Sequence, residues 1–316
     1  MMTARHLNMD TALRVFCGNH IPPAATREIS DKYWDITRAL ELVNFPLAIP
    51  GTKVYRAIQA RKVAFKWLVL GAANSKIHMA NGGEVTCMLD AWLQTIQDPE
   101  WKGRREFSDR EMGMVLFSFL FASQDAMSSG LIYAFQHLAD HPEIFAKVRE
   151  EQDRVRGDST NPMTLELLND MPYLNAVVKE SLRVKPPVIM VTIVSPLCNL
   201  WKVAHECPQV PYKTTRAFPI SDDYTVPANS MLIPCFYRSL RDPEVYANPD
   251  EFDPSRWLDP SGPAQSNPRN YLVFGSGPHK CIGVEYAMTN IALVLAHAVS
   301  MWDWEHVRTP ESDEIE

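Results

Sequence analysis

Residues 274–283 read Phe274-Gly275-Ser276-Gly277-Pro278-His279-Lys280-Cys281-Ile282-Gly283. Glycines and a proline in this run bring a single cysteine to the start of the last predicted helix, which spans about 283 to 301. The partial positive charge at a helix amino terminus and the neighbouring Lys280 both favour the thiolate. A thiolate in such a position is a strong axial ligand for haem iron and pushes electron density toward O–O cleavage. The plain alternative is a buried free cysteine beside a Gly-rich turn. The sequence preceding the loop separates the two.

Two shorter motifs lie upstream. Glu180-Ser-Leu-Arg183 sets opposite charges three residues apart on one helix face. Alone this says little, since most such pairs are solvated bridges worth ~0–1 kcal/mol. Phe252-Asp-Pro-Ser-Arg256-Trp257 puts a second arginine in irregular chain. A guanidinium fork can bridge a carboxylate bidentately, so Glu180, Arg183 and Arg256 are expected to form one buried network.

The remaining pattern is mainly α. Tyr33, Ile36, Leu40 and Val43 recur at three- and four-residue steps, and the apolar loop NFPLAIPG (44–51) separates two helices between Ala25 and Lys76. Phe45, Leu47 and Ile49 of that loop either line an apolar ligand channel or pack under a helix corner, and packing is preferred. Cys87–Gln97 reads as a short helix. Ser108 and Glu111 form a capping box that opens a long helix to about His137, roughly 45 Å at 1.5 Å per residue. Its Met112–Ala122 segment is apolar on nearly all sides. SQDAMSS (123–129) then places Asp125 where a buried carboxylate is costly unless paired, hydrated or functional. A charged helix over 143–155 and two helices split at Asp170-Met171-Pro172 complete the helical part. Beyond Pro186 come short β-like pieces, PPVIMV and DYTVPANSMLIPCF, and then Pro-rich coil.

Composition narrows the function. The 316 residues are 46% hydrophobic and 22% charged, enough for a large core. The net charge of −7 and the lack of a Lys/Arg run argue against nucleic-acid binding. Six cysteines never pair as C-x-x-C, unlike a disulfide framework or zinc ribbon. Cys17, Cys87 and Cys235 read as inert core thiols, and Trp302 and Trp304 as core or interface residues. No window holds 18 consecutive apolar residues, and the amino terminus lacks a signal-peptide layout. Neither a signal peptide nor a membrane span is therefore expected in the chain as given.

Taken in order, Glu180/Arg183, Arg256 and the Cys281 loop closely resemble the cytochrome P-450 superfamily. The resemblance implies a mainly helical haem-thiolate fold in which the long helix crosses the distal face of the haem. It puts Cys281 at the proximal iron ligand within a loop bearing Gly275, Gly277 and Gly283. Phe274 falls where a ring shields the sulfur, and His279 at a propionate contact. Glu180, Arg183 and Arg256 fall on the structural triad. FLFASQDAMSS, DKYWDITRALELVNFPLA and KPPVIMV are similar to fungal sterol C-22 desaturases, which use haem, O2 and NADPH-cytochrome P-450 reductase in ergosterol biosynthesis. This similarity implies a double bond introduced between C-22 and C-23 of a sterol. It also implies proton delivery by Asp125, for which Ser128 or water held by Asp125 is the alternative route, and a substrate pocket drawing on Phe121, Ala122, Val188, Ile189 and Met190. Ala126 stands where most monooxygenases place threonine, as it does in the resembling desaturases.

Against that family, residues 1–316 are expected to form a single partial domain, lacking a membrane anchor, earlier helices and most of the main sheet before residue 1, and closing strands after residue 316. The full-length family implies the cytoplasmic face of the endoplasmic reticulum membrane, while this chain shows no targeting segment. Residues 192–210 interrupt two family-contiguous pieces and read as an insertion, consistent with a retained intron. Two other functional readings are a noncatalytic fragment and a monooxygenase that hydroxylates a sterol or other lipid.

Overall fold

The computed structural model describes residues 2–39, 48–98, 100, 105–158, 160–187, 212–232 and 236–309. They cluster into two compact units, Met1–Ser128 and Ser129–Glu316.

In the first unit, α1 (Met2–Cys17), α2 (Pro23–Arg38), α3 (Lys53–Ala80) and α4 (Met88–Gln97) pack with the first half of α5 (Asp109–Asp140). Helix α1 has no counterpart in the sequence expectations. Its Met9, Leu13 and Phe16 are buried at helical spacing, but Asn8 is buried as well, which blurs the apolar stripe. Pro23 opens α2 at a position where a missing N–H costs nothing. Thr52 caps α3 by accepting from the Tyr55 amide at 3.2 Å. Both helices flank the expected loop. Phe45 and Leu47 lie outside the described residues, and Ile49 is 56% exposed rather than tucked under a helix corner.

The capping box forms as read. Ser108 N and Oγ donate to Glu111 Oε2, each at 2.9 Å, and Glu111 N donates to Ser108 Oγ at 3.2 Å. Met112, Leu116 and Leu120 are fully buried at four-residue steps, whereas Met114, Ser118 and Ala122 lie on the exposed face. The helix is thus amphipathic in its packing although its sequence is greasy nearly all round. By length and composition, α5 and the last helix are both apolar enough to cross a membrane, each with a window of mean hydropathy 1.3. Consecutive-apolar counting passes over them because polar residues interrupt each run.

The second unit holds the rest of α5, then α6 (Pro142–Arg156), α7 (Leu165–Asn169), α8 (Pro172–Val184), α9 (Pro263–Ser266) and α10 (Val284–Met301). Prolines at the first turns of α6 and α8 account for the breaks at 140–142 and 170–172. The β pieces are two small antiparallel pairs. β1 (Tyr212–Lys213) pairs with β4 (Met231–Leu232), and β2 (Phe218–Ser221) with β3 (Tyr224–Val226). Trp302 is 60% exposed, against expectation, while Trp304 packs its ring on Phe135 and Phe145 and donates to Phe135 O at 3.0 Å.

Candidate active site

Glu180 and Arg183 project from α8 with no side-chain exposure, and Arg256 comes from a 3-10 turn at Pro254–Trp257. Arg183 grips the carboxylate bidentately, Nε to Oε2 and Nη2 to Oε1, both at 2.8 Å. Arg256 Nε adds a bond to Oε1 at 2.9 Å. Two donors were not anticipated from sequence. Trp257 Nε1 reaches Oε2 at 2.9 Å and the Asp253 amide reaches Oε1 at 3.0 Å. The remaining Arg183 hydrogens go to carbonyls of Leu240, Pro249 and Glu251, so this one guanidinium stitches α8 to the irregular chain after β4.

From this network a row of aromatic rings leads to the cysteine loop. Trp257 meets Tyr271 edge-on at 5.1 Å, and Tyr271 meets Phe274 at 6.3 Å. The Tyr271 hydroxyl donates to Lys179 O at 3.1 Å, and burial pushes its ionisation well above the ordinary tyrosine range. The triad therefore anchors the near end of the loop.

The loop closes on itself. Cys281 N donates to Phe274 O at 2.9 Å, and a 3-10 turn at Gly277–His279 fills the span between them. Gly275 and Gly277 have φ of +71° and +70°, where a side chain would strain the backbone. No atom lies within 4 Å of a Cβ built at Gly277, and only a Phe236 ring carbon reaches 4.0 Å from one at Gly275. Gly283 caps α10, and Cys281, Ile282, His279 and Lys280 are exposed. A thiol at a helix amino terminus on an open, glycine-lined surface fits a flat, iron-bearing macrocycle. A buried free cysteine does not describe Cys281.

In the first unit, Asp125 of α5 pairs with Arg5 Nη2 of α1 at 2.8 Å. That guanidinium lies 3.9 Å over the Trp34 ring. Ser128 is fully buried, accepting from Asn8 Nδ2 at 3.0 Å and donating to Gln124 O at 2.7 Å. Through these two bonds the hydroxyl ties α5 to α1. Phe121 is half-buried and Ala122 is exposed. Val188, Ile189 and Met190 lie outside the described residues.

The loop, the triad and the helical architecture together define a haem-thiolate fold. The family model described as Cytochrome P450 matches residues 35–195 and 204–316. The chain belongs to the cytochrome P450 family. It is 41% identical to the C-22 sterol desaturase of Aspergillus fumigatus over 98% of its own length and 59% of that protein's. The corresponding figures are 41%, 96% and 54% for the Saccharomyces cerevisiae C-22 sterol desaturase, and 40%, 100% and 59% for an Emericella variicolor cytochrome P450 monooxygenase. The chain thus spans less than two thirds of the length of these relatives. Among solved structures, a retinoic acid-bound cyanobacterial CYP120A1 superposes with a TM-score of 0.68 at 23% identity, covering 96% of this chain and 61% of that one. The cytochrome P450DA haem domain gives 0.71 at 20%, covering 94% and 60%. These two likenesses concern the fold.

Proposed function

We propose that this chain carries the haem-thiolate site of a sterol C-22 desaturase, introducing a C-22/C-23 double bond with O2 and electrons from NADPH-cytochrome P-450 reductase. The observation that carries the reading is the similarity, over nearly the whole chain, to proteins named C-22 sterol desaturases. Bound haem would supply the oxidising chemistry by activating O2.

In this reading Cys281 Sγ would hold the iron, and the positive-φ Gly275 and Gly277 leave the loop free of side chains where the group would sit. Phe274 would shield the sulfur, and His279 would hold a propionate. Asp125 holds and moves a proton at its carboxylate. Arg5 secures Oδ1 and keeps the group oriented. Phe121 and Ala122, one turn before Asp125 on α5, contribute to the substrate pocket in this reading. The exposed Lys280 belongs to the surface that receives the acidic reductase. We place the working protein at the cytoplasmic face of the endoplasmic reticulum membrane, as the resemblance implies. The family match breaks at 196–203, which supports an insertion at the centre of the 192–210 stretch, whose edges at 192–195 and 204–210 fall inside the match.

The test is reconstitution with haem, NADPH, reductase and a C-22-saturated sterol. The expected product is two hydrogens lighter than the substrate, and the reduced CO complex shows the thiolate-shifted Soret band, lost in Cys281→Ala. A product one oxygen heavier would move the assignment to hydroxylation. Absence of the Soret band would remove the haem assignment.

A further inference from the structure

A second cluster of reactive side chains sits in the first unit and takes no part in the site above. His20 lies in the turn between α1 and α2, while Cys87 and Asp90 occupy the start of α4. His20 Nε2, Cys87 Sγ and an Asp90 carboxylate oxygen all fall within 4.8 Å of one another. Cys87 is the N-cap residue of α4, yet its side chain makes no capping hydrogen bond. The Cys87-x-x-Asp90 spacing brings thiol and carboxylate together on the first turn of that helix.

The carboxylate is held far more rigidly than a helix cap requires. Asp90 Oδ1 accepts from Ser75 Oγ at 2.5 Å and meets His20 Nε2 at 2.7 Å. Oδ2 accepts from Thr86 N at 3.1 Å and Thr86 Oγ1 at 2.8 Å. Asn74 Nδ2 pins the His20 carbonyl at 2.9 Å. The His78 ring stands 5.2 Å from the His20 ring. Gly18 brings its backbone so close that an added Cβ would lie 3.0 Å from Cys87 Cβ and 3.4 Å from its sulfur. Asp90 has no exposure and the His20 side chain only 11%. Three different donor types thus converge at a shielded point, with the carboxylate and the His20 backbone held by neighbours that are not themselves ligands.

We propose that His20 Nε2, Cys87 Sγ and Asp90 Oδ1 bind Zn2+, with the fourth tetrahedral position open to water. Mixed imidazole, thiolate and carboxylate donors suit this borderline cation. Nothing is oxidised or reduced. The Cys87 thiol proton leaves to solvent, the proton between His20 Nε2 and Asp90 Oδ1 moves to Nδ1 or to solvent, and three metal–ligand bonds form. The metal would tie the α1–α2 turn to α4. The proposal is independent of the sterol reaction and of haem binding.

The test uses the full chain, purified reduced and stripped of metal with a chelator. Elemental analysis after zinc reloading and dialysis should give about one zinc per chain. Titration with Co2+, read as a difference spectrum against the metal-free sample, should give a sulfur-to-metal charge-transfer band. Cys87→Ser should abolish that band, and His20→Gln should weaken Co2+ binding at least about tenfold. Circular dichroism of the metal-free variants checks that they fold. A wild-type chain that retains no zinc and shows no charge-transfer band overturns the proposal, and this arm needs no variant. A band that survives Cys87→Ser in a folded variant overturns it equally.

Discussion

Glu180 receives three donors on Oε1 and two on Oε2, in a place where its side chain has no exposure. A buried carboxylate survives only if its charge is matched and its lone pairs are occupied, and both conditions hold here. Removing it strands two guanidinium groups, so Glu180→Ala should cost about 3–5 kcal/mol, read as a shift of the urea midpoint or loss of soluble protein. Trp257→Phe keeps the ring but loses one bond to a charged acceptor and should cost about 1.5–3 kcal/mol. Asp250→Asn is the contrast. Asp250 pairs with Arg241 at 3.2 Å but is 84% exposed, so the change should cost less than about 1 kcal/mol. His137 supplies the pH dependence. It stacks on Phe252 at 4.4 Å, and burial, helped by the nearby Lys185, pushes it down to about 3. An unfolded histidine takes up its proton near 6.5 while the folded one stays neutral, so the unfolded state binds more protons between those values. Stability should therefore fall on acidification, by about 2 kcal/mol from pH 7 to pH 5, and His137→Gln should flatten that slope in paired urea titrations. The triad could be read from sequence because all three charges sit in motifs. The indole donor and the Asp253 amide could not, although both lie in the Arg256 motif, because nothing in the sequence marks either as a partner of a carboxylate more than 70 residues away. The same applies to Arg5, which is 120 residues from Asp125.

Helix ends were the most readable features, because a cap is written within four residues. Ser108→Ala removes the hydroxyl that accepts from the Glu111 amide and should cost about 1 kcal/mol, visible as a lower melting temperature. Faces were harder to read. The periodicity of α5 is masked by apolar residues on its exposed side, and only packing shows Met112, Leu116 and Leu120 inward with Met114 outward. The cysteine loop lies between these cases. Its glycines could be assigned to tight turning from sequence, but which of them takes a positive φ depends on the closing bond from Cys281 N to Phe274 O. Gly277→Ala meets no neighbour but must hold φ near +70°, so its penalty is backbone strain of about 1–2 kcal/mol. Faster haem loss, followed by transfer to an acceptor apoprotein, should accompany it.

For the molecule as a whole, the family relation spans nearly the entire chain, but only three fifths of a relative such as the Aspergillus fumigatus desaturase. Two compact units are built from this stretch, and each buries its own polar network: Asp90 in the first, Glu180 in the second. The reading of 192–210 as an insertion belongs at this level, since it concerns how the chain passes from α8 to β1. The family match stops at 195 and resumes at 204, so the residues between answer to no position of the family pattern. Excising 192–210 joins Val191 directly to Pro211, making VIMV and PYKTTRAFPI continuous. No triad member and no residue of the cysteine loop lies within the excised piece. If the segment is foreign to the fold, the shortened chain should bind at least as much haem as the intact one, in expression trials scored by the reduced CO spectrum. If the segment completes the fold, the shortened chain should lose the thiolate-shifted band and most of its soluble yield.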